Sequence, residues 1–362
     1  MAWCHSERSE RDAKPAMAAS RKFLSLYGAE MSFKQVIGQS RPVGILQNAL
    51  LKNKPAHAYL FSGPAGVGKV FTALQFAKAL NCVNKPEGTP DSCDECPSCR
   101  NIGAGNFIDV SIIKLLSNKT QILIDQIRQI QSQVNLRPYE ARYKVFIIQD
   151  AELMNDEAQS ALLKTLEEPP VKSIIALVTS EPEALLATII SRCQSIRFSA
   201  LKAEESKKIL MSRFGIGEDS AYYLSHIAQA GFVDISDFVK KDILKEKNRI
   251  IDEFCGYIDS PVKELSFLRE SDENIMLALS ALLWWYRDML ILRETNKTDT
   301  LVNKDRYKDL SLNAPKYSSL RLGQIISSIL KTVQILTDTN VSAKLALTVM
   351  AVEIMESLAP RC

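Results

Sequence analysis

The sequence predicts an α/β domain built on a parallel sheet, followed by an all-helical region, and three observations carry that reading. Short Val/Ile-rich runs alternate with helical patterns from Met31 to about Ala200. The first run leads into a glycine-rich turn and a helix, and after Ala200 the strand signals stop. Alternation of this kind is what a sheet with crossover helices requires, and nearly continuous apolar runs suit strands covered on both faces.

The strand candidates are Ala58 to Ser62, Asp109 to Ile113, Lys144 to Gln149, Ile174 to Thr179 and Gln194 to Phe198. Helical patterns between them run over Val67 to Leu80, Thr120 to Val134 and Asn155 to Leu166. Further helices are expected over Glu204 to Phe214, Ser220 to Ala230, Asn274 to Arg293, Leu320 to Thr337 and Ser342 to Leu358, with Gly215 and Gly217 punctuating the first turn. The expected organisation is a tail at 1–30, the α/β domain at 31–200, a small helical domain at 201–250 and a larger one at 251–362, joined near residues 245 to 260. The tail is polar, charged and Ala/Ser-rich at first, without periodicity that would bury a face. Met31 opens a segment that looks like a natural beginning, so one reading of the tail is an upstream extension absent from the working protein.

With 362 residues and a hydrophobic fraction of 46%, the chain is long enough for two or three well-buried domains. It has no run of eighteen apolar residues and no apolar stretch ahead of a cleavage site, so neither a membrane span nor secretion is indicated and a cytoplasmic location is expected. A net charge of +3 is too small to imply nucleic-acid binding, which needs basic residues gathered on one face.

The strand Ala58 to Ser62 runs into Gly63-Pro64-Ala65-Gly66-Val67-Gly68-Lys69-Val70 and then a helix, the context that a phosphate-binding P-loop needs. Gly63, Gly66 and Gly68 let backbone N–H groups close around phosphate oxygens, and Lys69 can reach the β- and γ-phosphates. The next position should carry a hydroxyl that coordinates Mg²⁺, and it is Val70. A second metal anchor is expected where an apolar strand ends in an acidic residue. Here Val145-Phe146-Ile147-Ile148 ends in Gln149-Asp150, with Gln149 in the place of the metal-anchoring aspartate and Asp150 in that of the water-activating glutamate. With both contacts missing, hydrolysis should fail, although nucleotide binding stays open and Asp150 rotating in to hold the metal is the alternative.

Of eight cysteines, Cys82, Cys93, Cys96 and Cys99 crowd into eighteen residues, while Cys4, Cys193, Cys255 and Cys362 are scattered. In a reducing compartment a cluster suggests metal rather than disulfides. Four thiolates spaced C-x₁₀-C-x₂-C-x₂-C can close a tetrahedral Zn²⁺ shell with no position left for water, and the spacing also fits some iron–sulfur sites.

Several blocks resemble the bacterial replicative clamp loader of DNA polymerase III, whose subunits share an AAA+ module and a C-terminal helical collar. They are Phe33-Lys34-Gln35-Val36-Ile37-Gly38-Gln39, His57-Ala58-Tyr59-Leu60-Phe61-Ser62-Gly63-Pro64, the stretch Ala161-Leu162-Leu163-Lys164-Thr165-Leu166-Glu167-Glu168-Pro169-Pro170, and Thr188-Ile189-Ile190-Ser191-Arg192-Cys193. Coverage of the collar is thinner, resting on Leu283-Trp284-Trp285-Tyr286-Arg287-Asp288 and residues 340–346.

The resemblance implies an AAA+ P-loop domain with a zinc insertion at about 82–99, a helical lid at 201–250 and an oligomerising collar at 251–362. Motor subunits of the family keep complete ATP sites, whereas this chain is similar to the delta-prime type, whose site is degraded. Gly231-Phe232-Val233-Asp234 stands where motor subunits carry a lid arginine, and no arginine is present. The Ser191-Arg192-Cys193 block stands at the position of the family's trans-acting arginine finger. An arginine suits that work because its planar guanidinium stays charged and offers several donors to phosphate oxygens. The bland reading of Arg192 is a helix C-terminal cap. The implied partners are the other clamp-loader subunits, a sliding clamp and primer-template DNA, in a hetero-oligomer without a membrane. Two other classes compete: an active motor ATPase, and a zinc-based nucleic-acid binding module.

Overall fold

The computed structural model describes residues 32–85, 88–116, 119–169, 172–229, 242–259, 272–338 and 341–358; the expected tail at 1–30 lies outside them. The chain divides into two compact units between Glu205 and Ser206.

In the first unit, a short 3₁₀ turn at Phe33–Gln35 precedes α1 (Ser40–Leu51), β1 (Ala58–Ser62) and α2 (Lys69–Asn81). Then follow α3 (Pro97–Gly103), β2 (Val110–Ile113), α4 (Ile124–Val134), β3 (Lys144–Ile148), α5 (Asp156–Glu167), β4 (Ser173–Thr179), α6 (Ala187–Arg192) and β5 (Gln194–Arg197). The strands form one five-stranded sheet in the order β2-β3-β4-β1-β5, and every pairing is parallel. Side chains alternate between the faces of a strand, so each strand feeds two cores. Tyr59, Phe61, Val145, Ile147 and Val178 pack with Leu46 of α1 and Phe76 of α2. Leu60, Phe146, Ile148, Ile175 and Leu177 pack on the other side with Ile127 and Ile130 of α4, Leu162 of α5 and Ile189 of α6. The result is the helix–sheet–helix layering expected from the alternating pattern.

Differences from the sequence reading have local causes. Thr120 to Ile122 do not join α4: Ile122 bridges Met154, and the helix starts where the Gln126 side chain accepts the Leu123 amide. Asn155 is a cap and not the first turn of α5, its side chain accepting the Ala158 amide at 2.9 Å. Asp109 leaves the strand because its buried carboxylate accepts the amides of Tyr139, Glu140 and Ala141 at 3.0, 2.9 and 2.9 Å. Asn81 grips the same loop through the amides of Arg142 and Tyr143 and the Tyr143 carbonyl. These bonds hold a loop on which Leu136 and Tyr139 are 61% and 80% exposed.

The second unit is helical: α7 (Ala203–Phe214), in whose first turn the division falls, α8 (Glu218–Gln229), α9 (Ile243–Asp259), α10 (Asp272–Thr295), α11 (Tyr307–Asn313), α12 (Ser319–Asp338) and α13 (Ala343–Leu358). A boundary at 250/251 falls inside the continuous α9, whose Ile250, Ile251 and Phe254 are buried in one core with Tyr223 of α8 and Trp285 of α10. The buried Lys247 Nζ binds both oxygens of Asp305 at 2.6 and 2.7 Å, and Asp288 accepts the amides of Val302 and Asn303, so the 300–306 turn is tied to α9 and α10. Ile275–Thr295 is long and apolar enough, by length and composition alone, to cross a membrane; 67% of that stretch is buried, as suits the central helix of a core.

Replacing Asp109 with alanine leaves three backbone amides without their acceptor. Urea unfolding should show a loss of about 3 kcal/mol. A loss below about 1 kcal/mol would mean that water takes over the carboxylate's place.

Candidate functional site

The P-loop residues lie at the carboxyl ends of the strands, the usual ligand-binding edge of an open parallel sheet. Ser62 pairs with Thr179 on one side and Arg197 on the other, so the loop leaves β1 between the ends of β4 and β5. Gly63 is required there: a Cβ would lie 2.4 Å from the Phe198 carbonyl oxygen, and φ is +142°. Gly68, the residue before α2, has φ +87° with open space around it, so its demand is conformational. Gly66 lies between them at φ +73° on the exposed turn.

Lys69 opens α2 and is 7% exposed. Its ammonium donates to the Gly63 carbonyl at 2.5 Å and to the Pro64 carbonyl at 2.7 Å, so the side chain folds back under its own loop. Burial holds its pKa below the ordinary lysine value, with the carboxylates of Glu152 and then Asp150 pulling upward. Val70 is half-buried against the sheet core and has no hydroxyl to offer. The next hydroxyl on the helix, Thr72 Oγ1, donates to the Gly68 carbonyl at 2.8 Å.

At the end of β3, the Gln149 amide nitrogen donates to Asp150 Oδ2 at 3.1 Å. Asp150 adopts φ +51°, a left-handed conformation that aspartate tolerates better than most residues. Glu152, two residues on, is the stronger electrostatic neighbour of Lys69. Its Oε1 accepts the Ser180 amide at 3.0 Å, and its Oε2 is buried with no hydrogen-bond partner. Sequence reasoning assigns a role to Asp150 and none to Glu152; the signal available is a second acidic side chain beyond the strand.

Arg192 and Ser191 lie elsewhere. Arg192 is the last residue of α6, immediately before β5, and Gln194 at the start of β5 pairs with Tyr59 near the start of β1. Since β1 and β5 are parallel, Arg192 stands at the opposite end of these strands from the P-loop. Three residues of strand, roughly 10 Å, separate the two ends before the loop is added. Arg192 Nη1 donates to the Thr188 carbonyl at 3.0 Å and Nη2 to Glu167 Oε1 at 2.8 Å, while Ser191 Oγ donates to the same Thr188 carbonyl at 3.0 Å. Within the single chain the capping geometry is therefore realised.

Cys82, Cys93, Cys96 and Cys99 converge, their sulfur atoms all within 4.8 Å of one another. A tetrahedral shell with metal–sulfur bonds of 2.3 Å needs edges of about 3.8 Å, so small shifts suffice to close it. Amides point at the sulfurs: Cys93 N–H at Cys82 Sγ, Cys96 N–H at Cys93 Sγ and Cys99 N–H at Cys96 Sγ, at 3.4, 3.3 and 3.4 Å. Burial pushes the Cys82 and Cys99 thiols up, and for Cys96 it is outweighed by the Cys99 and Val83 amides, which bring that thiol down to about 6. Four sulfurs this close cannot all ionise without a cation among them, so the donor set fits a metal ion such as zinc. Cys82, Cys96 and Cys99 are 8%, 2% and 1% exposed, which suits a closed structural site.

Sequence reading treated the insertion as a loop, but Pro97 starts α3, with Cys96 as its cap. The insertion is fastened to its surroundings by Asp94, paired with the buried Lys78 of α2, and by Asp91 Oδ1, which accepts the Phe33 amide at 3.0 Å. The Gly231 to Asp234 stretch lies outside the described residues.

A sequence family described as DNA polymerase III, delta subunit, matches residues 38–202. DNA polymerase III subunit tau of Bacillus subtilis is 32% identical over 332 residues, 82% of this chain and 57% of that protein. Subunit tau/gamma of Haemophilus influenzae is 41% identical over 170 residues, 47% of this chain and 24% of that protein. Subunit delta' of Bacillus subtilis is 28% identical over 285 residues, 76% of this chain and 84% of that protein. The chain thus spans just over half of the first of these relatives and a quarter of the second. With the P-loop on a five-stranded parallel sheet and the helical unit behind it in sequence, these similarities support a place for the chain in the clamp-loader family of DNA polymerase III subunits.

Proposed function

We propose that this chain is a non-hydrolysing, delta-prime-like subunit of a bacterial clamp loader, acting in the cytoplasm. Relatives of both the delta' and the tau kind are present, so the choice between them rests on the nucleotide site itself. The observation that carries the reading is the loss of both metal anchors: Val70 stands where a hydroxyl should hold Mg²⁺, and Gln149 stands where a carboxylate should. Mg²⁺ neutralises the charge that develops between the β- and γ-phosphates, and without its ligands the P-loop has no means of driving phosphoryl transfer.

In this reading Arg192, supported by Ser191, serves as an arginine finger for the ATP of a neighbouring motor subunit. Its position far from the chain's own P-loop supports action in trans. Donors of this kind contribute 10³ to 10⁵ in rate in other phosphoryl-transfer systems. The helical unit would supply the collar contacts of a hetero-oligomer that opens a sliding clamp and closes it on primer-template DNA. Zinc held by Cys82, Cys93, Cys96 and Cys99 would contribute folding free energy to an insertion with little apolar burial of its own.

The second reading, an active gamma/tau-like ATPase, is favoured by the carboxylates of Glu152 and Asp150 near Lys69. The purified chain alone should hydrolyse no ATP above background in Mg²⁺, and a Val70→Thr, Gln149→Asp double variant tests whether restoring the ligands restores turnover. Turnover by the natural chain that is abolished by Lys69→Ala would establish the motor reading instead.

Elemental analysis of the purified chain should find one zinc per chain and no iron. Cys96→Ser should lose that metal and lower Tm by about 10 °C, the size expected if the closed site contributes about 3 kcal/mol. A natural chain that melts at the same temperature with and without its metal would remove the metal from the account of stability.

A further inference from the structure

The side chain that fixes the direction of Arg192 comes from a segment that enters the sequence argument only through its resemblance to a family block. Glu167 is the last residue of α5, and Arg192 is the last residue of α6. The two side chains meet at 2.8 Å, Glu167 51% and Arg192 35% exposed. The same pair of helices is joined at its other end by Gln159, 4% exposed, whose Oε1 accepts the Leu186 amide at 2.8 Å and whose Nε2 donates to the Met154 and Ala184 carbonyls at 3.1 and 3.3 Å. Helix α5 therefore holds both ends of α6: Gln159 sets where the short helix begins, and Glu167 takes hold of its final side chain.

The consequence lies in the donor count. A guanidinium has five N–H donors. One on Nη1 goes to the Thr188 carbonyl and one on Nη2 goes to Glu167, which leaves three for another acceptor. Two anchors at different nitrogens define the plane of the group, whereas a lone cap through Nη1 would leave it free to turn. The Thr188 carbonyl also accepts from Ser191 Oγ, so Ser191 helps complete the same anchor. An ion pair this exposed contributes little to stability, which makes stability a poor reason for it. Its effect is to restrict the arginine to one orientation before any phosphate arrives, and pre-set orientation is what a transition-state donor needs.

We propose that Glu167 is the positioning residue of the arginine finger, holding Arg192 by one nitrogen so that its remaining donors meet the γ-phosphate of a neighbouring subunit's ATP. The proposal rests on the reading of Arg192 as a finger supplied in trans. Glu167 does not itself touch nucleotide, so its loss should act on turnover and not on ATP affinity.

The test is steady-state ATP hydrolysis by the assembled loader, stimulated by clamp and primed DNA, with the natural chain or with Arg192→Ala, Glu167→Ala or Glu167→Gln in its place. Arg192→Ala should lower kcat at least about tenfold. Glu167→Ala should lower kcat roughly fivefold with KM unchanged. Glu167→Gln, which keeps an oxygen facing Nη2, should return to within about twofold of the natural rate, a rescue that depends on the hydrogen bond and not on bulk stability. Natural rates in both Glu167 variants beside a slow Arg192→Ala would overturn the positioning role and leave the finger standing. A faster Glu167→Ala would also overturn it, by making the pair a brake. A natural rate in Arg192→Ala would overturn the finger reading and this proposal with it.

Discussion

The pairing of β1 between β4 and β5 is the constraint on which the rest of the first unit depends. Parallel ladders on both edges fix the level at which the P-loop leaves the sheet, because Ser62 is opposite Thr179 and Arg197. They also bring the Phe198 carbonyl so close to Gly63 that no side chain fits between them. The same ladders put Gln194 level with Tyr59, and hence Arg192 at the far end. A separation of phosphate loop and arginine across the sheet is therefore a property of the topology, independent of any single functional side chain.

Buried polar groups do much of the remaining positioning. Asp109 and Asn81 secure the loop ahead of β3, so the acidic end of that strand is held relative to α2. The cysteine cluster is linked to the same helix, since Cys82 is its C-terminal cap residue and Asp94 pairs with Lys78 within it. A metal at the four sulfurs would brace the insertion against the helix that carries Lys69, thirteen residues before Cys82. Stability at the metal site and geometry at the phosphate loop are in this sense linked through one helix, although the two sites share no side chain.

Much of this was legible in the sequence, for reasons that can be named. The three central strands were readable because burial on both faces selects unbroken apolar runs, and Ala58–Ser62, Lys144–Ile148 and Ser173–Thr179 are buried throughout. The glycine-rich loop was readable because glycine meets the demands at residues 63 and 68, and the convergence of the four cysteines because thiols at that spacing have few other uses. Strand and helix ends were less readable. Whether Asp109 continues β2 or turns to bind three amides depends on a loop thirty residues away. The expected join near residues 245 to 260 falls within the continuous helix Ile243–Asp259. Periodicity across Ile250, Ile251 and Phe254 shows a buried helix face. Glu167 stood inside a block that resembled a family, yet its pairing with Arg192 joins the ends of two helices and leaves no local pattern.

Survival of Lys69 beside Val70 and Gln149 invites the inference that nucleotide still binds, but the geometry supplies a reason that needs no nucleotide. Two loop carbonyls, Gly63 and Pro64, point at the Lys69 ammonium, and the nearby Glu152 has a buried oxygen without a hydrogen-bond partner. Removing the cation would leave both carbonyls and the acidic end of β3 uncompensated in a largely buried place. The hydroxyl expected after the lysine has no such duty in the apo fold. Its replacement by Val70 adds apolar contact to the sheet core at no cost in hydrogen bonding. A site that has lost catalytic selection would therefore be expected to keep the lysine and its glycines and to lose the metal ligands, which is the pattern that residues 63 to 70 and 149 carry.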